Sequence, residues 1–319
     1  MNEVSAISAE DIAFTYGQRT ALQGVGFEVA RGQAHGFLGP NGSGKSTLFK
    51  LLSTIVPLQH GRVSMLGLDL ATQAAAIRQR IGVVFQSPAI DKKLTVRENL
   101  HYGGMLLGLA GRELGNRIDQ MLEATNLGDR SRDRVGELSG GMRRRVEIGK
   151  CLLGAPELVL LDEASTGLDP AARRDMWAVL RAQPRLTVVF TTHLMDEAAQ
   201  ADSLVLLDQG RIVAAGRPAD LMREVGGQVL EIEAPEAQTL ANDLAAAFGV
   251  TARVVDGTLR VEGEAVHELV SKVMQRFPAR VQRLQLAHPS LLDVFLQRTG
   301  KRFVVAEPEP QARGRRKRS

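Results

Sequence analysis

Cysteine occurs once in 319 residues, at Cys151 in the apolar helical run GKCLL. No disulfide can therefore close within the chain, and a reducing compartment with a buried structural thiol is the expected setting. No apolar run approaches the ~20 residues that a membrane-spanning helix requires, so no crossing of a membrane is expected. The opening MNEVSAISAE has neither a basic segment nor an apolar one behind it, so no secretory leader is expected. Internal repeats and sustained heptads are absent as well. In bulk the chain is ordinary: 44% hydrophobic, 24% charged, with 32 glycines and 12 prolines, the composition of a folded protein. Its length suffices for two domains. The net charge of +4 does not describe a basic face. Arg313, Arg315, Arg316, Lys317 and Arg318 supply five positive charges near the end, and subtracting those five from +4 leaves −1 for the body. Nucleic acid is not an expected partner. The tail reads either as a solvated end or as a contact to anionic lipid, worth ~1 kcal/mol per basic residue near a surface.

From Ile7 to about Met222 short apolar strands mix with amphipathic helices. HGFLG (35–39), IGVVFQ (81–86), ELVLLDE (157–163) and LTVVFTTH (186–193) read as strands, the central ones apolar on both faces, as in a sheet covered on both sides by helices. Between residues 95 and 153 the pattern is almost wholly helical. Residues 1–225 therefore read as an α/β domain carrying a helical insertion at about 87–155. After Gly226-Gly227 the character changes. A strand (229–234), a helix, a hairpin around Asp256-Gly257, a second helix and a strand (280–286) give the order βαββαβ, that of a small ferredoxin-like α+β domain over 226–303. The helix PSLLDVFLQRTG closes it, with Gly300 at its end. Residues 304–319 read as a disordered basic tail.

GPNGSGKST, Gly39, Pro40, Asn41, Gly42, Ser43, Gly44, Lys45, Ser46 and Thr47, follows an apolar strand and opens a helix, the context of a phosphate-binding loop. Gly42 and Gly44 let backbone N–H groups turn inward around phosphates. Lys45 is placed to meet the β and γ phosphates, and the Ser46 hydroxyl to hold Mg²⁺. ELVLLDEAS buries a strand and presents Asp162 and Glu163 at its C-terminal end, where open α/β sheets bind ligands. Asp162 is placed to organise Mg²⁺ through a water, and Glu163 to act as general base or water positioner. His193 and Gln86 end neighbouring strands. His193 could reach the γ-phosphate, and Gln86 could bond both Mg²⁺ and the attacking water. LSGGM, Leu138, Ser139, Gly140, Gly141 and Met142, opens another helix with free N–H groups but no lysine, an anion site suited to completing a site rather than making one alone.

The set GPNGSGKST, Gln86, LSGGM, LLDEAS, STGLD and His193, in this order over residues 5–225, resembles the ATP-binding subunit of ABC transporters. That likeness implies a P-loop NTPase fold and two domains paired head to tail. Each ATP then lies between one chain's phosphate loop and the partner's Ser139, Gly140 and Gly141. It further implies Asp169 at the dimer seam, Tyr16 stacked on adenine, and Mg²⁺ with ATP. Ala164 stands where many members of the family have proline. HPSLLDVFLQRTG and GGMRRRVEIGK are similar to the ABC-2 type and daunorubicin-resistance exporter group. The expected function is an ATPase that powers a separate transmembrane permease for export of a drug, lipid or similar cargo. Its expected place is peripheral, on the cytoplasmic face of the membrane, with permease contacts within SPAIDKKLTVRENL (87–100). The alternative, a non-transport ABC ATPase acting on nucleic acid or ribosomes, is disfavoured by the single phosphate loop, the single cysteine and the lack of heptads.

Overall fold

The computed structural model describes residues 5–255, 257–263, 266–301 and 303; the 304–319 tail and Asp256 of the expected hairpin lie outside them. In chain order the first elements are β1 (Ile7–Tyr16), β2 (Arg19–Val29), β3 (Ala34–Leu38), α1 (Lys45–Leu52), β4 (His60–Met65), β5 (Leu68–Asp69), α2 (Ala74–Arg78) and β6 (Ile81–Val84). The insertion supplies α3 (Val96–Leu106), α4 (Gly111–Ala124) and α5 (Gly140–Leu152). The core resumes with β7 (Leu158–Asp162), α6 (Pro170–Arg181), β8 (Thr187–Thr192), α7 (Met195–Ala198), β9 (Ser203–Asp208), β10 (Arg211–Gly216) and α8 (Pro218–Val225). The last part comprises β11 (Gln228–Glu233), α9 (Ala237–Phe248), β12 (Ala252–Val255), β13 (Thr258–Gly263), α10 (His267–Arg276), β14 (Arg283–Ala287) and α11 (Leu291–Thr299).

Six strands form the central sheet in the order β10-β9-β3-β8-β7-β6, parallel except for the β10 edge. Side chains alternate between its faces, and both faces are buried. Leu158 and Leu160 of β7 join the core under α1, while Val159 and Leu161 join the core under the helical insertion and α6. The first of these cores is shared with an antiparallel sheet, β2-β1-β4-β5, that periodicity did not announce. The reason lies in β1: its pairing shifts register three times, and Asp11 turns through φ 50°, so its polar and apolar residues do not keep strict alternation.

The third sheet runs β12-β13-β11-β14, every neighbour antiparallel, with α9 and α10 on one face around Leu240, Leu244, Leu259 and Val273. This is the split βαβ arrangement that the order βαββαβ produces. α11 leaves that unit. Leu291, Val294 and Phe295 pack instead with Leu204, Leu206, Leu221 and Val225 of β9 and α8. At the other side of α11, Asp293 pairs with Arg260 of β13 at 2.5 Å, and Arg260 also reaches Glu231 of β11 at 3.0 Å. Asp293 caps its own helix through Ser290, whose N–H and hydroxyl both donate to it at 2.7 Å.

Candidate nucleotide site

The segment from Gly39 to Gly44 leaves β3 and enters α1 with little room for side chains. A Cβ on Gly39 would stand 2.4 Å from the Leu207 carbonyl oxygen, and one on Gly44 2.8 Å from that of Ala21. Gly42 (φ 80°) and Gly44 (φ 109°) also need backbone angles that other residues resist. No side chain caps α1, so its first N–H groups stay free for an anion. The Lys45 ammonium is buried and donates to the carbonyls of Gly39 (2.7 Å) and Pro40 (3.1 Å). Burial lowers its pKa from the ordinary lysine range, opposed by the carboxylates of Glu163 and Asp162. A cavity of about 540 Å³ opens above this loop, lined among others by Tyr16, Arg19, Asn41, Lys45, Ser46, Thr47 and Glu163.

β7 delivers the acidic pair. Asp162 is its last residue, and Thr191 of the adjacent β8 donates its hydroxyl to Asp162 Oδ1 at 2.7 Å. Burial raises the Asp162 pKa and that hydrogen bond opposes the rise. Glu163 then turns out of the strand at φ 44°, a left-handed conformation that costs a side-chain-bearing residue on the order of 1–3 kcal/mol. Its N–H is received by Thr191 Oγ1 at 3.1 Å. The turn aims the carboxylate at the phosphate loop, where three groups meet it. Lys45 Nζ stands 3.9 Å from Oε1, and Gln86 Nε2 donates to Oε2 at 3.3 Å. His193 Nδ1 lies 3.3 Å from the same oxygen and makes no hydrogen bond of good geometry among the described residues. Gln86 lies two residues beyond the end of β6 rather than on the strand, in an exposed loop. Tyr16, at the end of β1, is 45% exposed with its ring against Phe14, centroids 4.9 Å apart.

Ser139 caps α5, its hydroxyl oxygen accepting from Met142 N–H at 3.2 Å. Leu138 is buried and Met142 packs on the core, while Ser139 and Gly140 are exposed. Asp169 caps α6 by accepting from the N–H groups of Ala171 and Ala172, both at 2.9 Å. The two helix starts sit together: a Cβ on Gly141 would come 2.6 Å from that of Ala172. None of Leu138, Ser139, Gly140, Gly141, Met142 or Asp169 lines the cavity over the phosphate loop. One chain thus holds two separate anion-suited surfaces.

Sequence reasoning passed over what fixes these groups. Thr191 organises both acidic residues. Arg144 and Glu147 of α5 form a buried pair at 2.8 Å, and Arg144 also donates to the carbonyls of Phe85 (3.0 Å) and Gln86 (3.4 Å). Glu147 accepts from Ala89 N–H at 2.6 Å. Two charges at helical spacing, i and i+3, look like a solvated face, so only the apolar residues around them in GGMRRRVEIGK could have signalled their burial. Cys151 faces Gly82 of β6, and burial pushes its thiol up to about 12, away from thiolate chemistry.

No helix among the described residues is long and apolar enough to cross a membrane. The family model described as ABC transporter matches residues 22–166. The chain is 38% identical to the daunorubicin resistance ATP-binding protein DrrA2 of Streptomyces coeruleorubidus, over 96% of this chain and 99% of that one. It is 35% identical to the Nod factor export ATP-binding protein I of Burkholderia lata, over 93% and 98%. A solved ATP binding subunit of an ABC transporter superposes with a TM-score of 0.62 at 29% identity, over 69% of this chain and 93% of that one. With the phosphate loop, the acidic strand end and the second helix start in place, the chain belongs to the ABC transporter family, as an ATP-binding and ATP-hydrolysing subunit of the kind that dimerises and works with a transmembrane permease.

Proposed function

We propose that two copies of this chain close around two ATP molecules and thereby drive export through a separate membrane permease. The observation that carries this reading is the convergence of Lys45, Gln86 and His193 on the Glu163 carboxylate beside a free helix start. Residues 39–47 take the phosphates, with Lys45 exchanging the carbonyls of its own loop for the β and γ phosphates. Tyr16 stacks on the adenine. Glu163 positions or deprotonates the attacking water, and His193 and Gln86 contact the γ-phosphate and that water. Ser46, Gln86 and Asp162 offer the hard oxygen donors that Mg²⁺ prefers, and a set with so few carboxylates suits an ion that keeps waters and phosphate oxygens. When bound, Mg²⁺ neutralises charge on the β and γ phosphates. Ser139, Gly140 and Gly141 complete the site of the partner copy, and Asp169 lies at the seam between them. ATP drives closure only so far as it binds the closed pair more tightly than the open one.

A groove of about 280 Å³ beside the Gln86 loop supports the permease contact. It is lined by Val83, Phe85, Ala89, Gly103, Leu106 and Leu107, and Tyr102 and Met105 of the same helix α3 are exposed. An apolar patch of this kind, rimmed by polar residues, suits a helix of a membrane partner. The contact therefore extends past the 87–100 segment along α3. With that contact, the chain is peripheral to the membrane in this reading, on its cytoplasmic face. The relatives named for daunorubicin resistance and Nod factor export favour a drug, lipid or similar cargo. The basic tail is a second candidate contact to the membrane. The test is affinity purification of the tagged chain from its native membranes with mass spectrometry of what accompanies it. A co-purifying polytopic membrane protein is the expected result; recovery of ribosomal or other non-membrane partners alone would contradict the transport reading.

A further inference from the structure

Glu197, in the short helix α7, is 3% exposed, and no cation lies within ion-pairing distance of it among the described residues. A carboxylate so placed is costly unless its oxygens are filled by donors. Here each oxygen accepts one hydrogen bond: Oε2 from the Ser165 hydroxyl at 2.7 Å and Oε1 from the Trp177 indole N–H at 3.0 Å. The indole is itself fixed edge-on against Phe190 of β8, centroids 4.9 Å apart, so its N–H cannot readily swing away.

These three residues come from three different parts of the site. Ser165 lies two residues past Glu163, in the turn whose first residue has φ 44°. Trp177 lies in α6, the helix that Asp169 caps. Glu197 lies four residues past His193, which reaches Glu163 at 3.3 Å. One carboxylate therefore joins the turn that carries Glu163, the loop that carries His193 and the helix behind the seam residue Asp169.

We propose that Glu197 is a positioning residue for ATP hydrolysis: it fixes the Glu163 turn against the His193 loop and transmits displacement of α6 to both. The proposal rests on the reading of Glu163 and His193 as the groups that act at the γ-phosphate. Glu197 touches no substrate; it acts through Ser165 on one side and through its own chain on the other. Losing one donor leaves the ATP-contacting loop unchanged but frees the turn, so the effect falls on kcat and not on KM.

The test is steady-state ATP hydrolysis and ATP affinity of the full-length chain carrying Ser165→Ala, Trp177→Phe or Glu197→Gln, with Glu163→Gln and His193→Ala as references. Ser165→Ala removes one donor with little change of shape, so it carries the test if Glu197→Gln does not fold; Trp177→Phe removes the other donor together with part of a buried ring. The expected result is a kcat reduced about tenfold, with KM and ATP affinity within about twofold, beside a thermal midpoint lowered only by what one unfilled buried acceptor costs. Adding Ser165→Ala to Glu197→Ala should then bring no further loss of similar size, since the truncated side chain no longer accepts from that hydroxyl. If the references abolish hydrolysis while all three variants turn over normally, the positioning role is overturned and the site stands. Parallel losses in midpoint, affinity and rate would assign Glu197 to stability alone and equally overturn it. If Glu163→Gln and His193→Ala keep full activity, the underlying site reading fails, and this proposal with it.

Discussion

His35 shows how one buried side chain makes the stability of the α/β unit depend on pH. It sits in β3, 2% exposed, against the rings of Phe27 and Phe37, with Nδ1 2.6 Å from Ser203 Oγ and no partner for Nε2 among the described residues. Burial pushes its pKa down to about 4, against about 6.5 for an unfolded histidine. Between those values the unfolded chain binds more protons than the native one, so stability rises with pH across that window. The contribution is complete above about pH 6.5 and is lost as pH falls towards 4, on the order of 3 kcal/mol in all. Urea unfolding at pH 7 and pH 5 should show the decline, and His35→Leu should flatten it; an equal slope in both proteins would remove His35 from the account. At this scale the residues that the structure brings together at Glu163 were readable because loops and strand ends announce them, as with Lys45 and His193. His35 and Glu197 were not, since one histidine in HGFLG or one glutamate in MDEA carries no sign of its partners.

Among the elements, α5 connects most. Its start presents Ser139 and Gly140, and its second turn sends Arg144 to the backbone of Phe85 and Gln86. The loop that brings Gln86 to Glu163 is thus fixed by the same helix whose tip is proposed to meet the partner's ATP. Arg144→Met would leave Glu147 buried without its cation, the case in which removing one partner costs about 3–5 kcal/mol. Burial already raises the Glu147 pKa, which Arg144 opposes. Chemical denaturation should report a loss of that order, with weaker coupling of Gln86 to hydrolysis; a change below ~1 kcal/mol would mean that the pair is not buried as described. Element reading from the sequence worked where periodicity was clean. α3 begins with a reciprocal Thr95–Glu98 capping box and buries Val96 and Leu100. It failed for β1 and β2, where bulges break alternation, and at Gln86, which the strand pattern placed on β6 although ladder pairing stops at Val84.

In the whole molecule the two anion-suited surfaces explain each other. The phosphate loop has a lysine and a cavity; the α5 start has no lysine and does not line that cavity, but it is exposed and lies beside the cap of α6. In the proposed head-to-tail pair, a second copy brings the one to the other. The small α+β unit is joined to this machinery by α11, whose apolar side packs on β9 and α8 and whose Asp293 pairs with Arg260. Which unit α11 covers could not be read from LLDVFL, because an apolar stripe records burial but not the identity of the covering surface. The βαββαβ order itself was legible, since each of its segments has one clear period.

The most direct test of the account is the mass of Glu163→Gln in solution, by light scattering, with and without saturating ATP and Mg²⁺. Blocked hydrolysis should hold two chains around two nucleotides, so the account predicts a monomer without ATP and a stable dimer with it, abolished by Ser139→Arg. A chain that binds ATP yet remains monomeric would contradict the shared site.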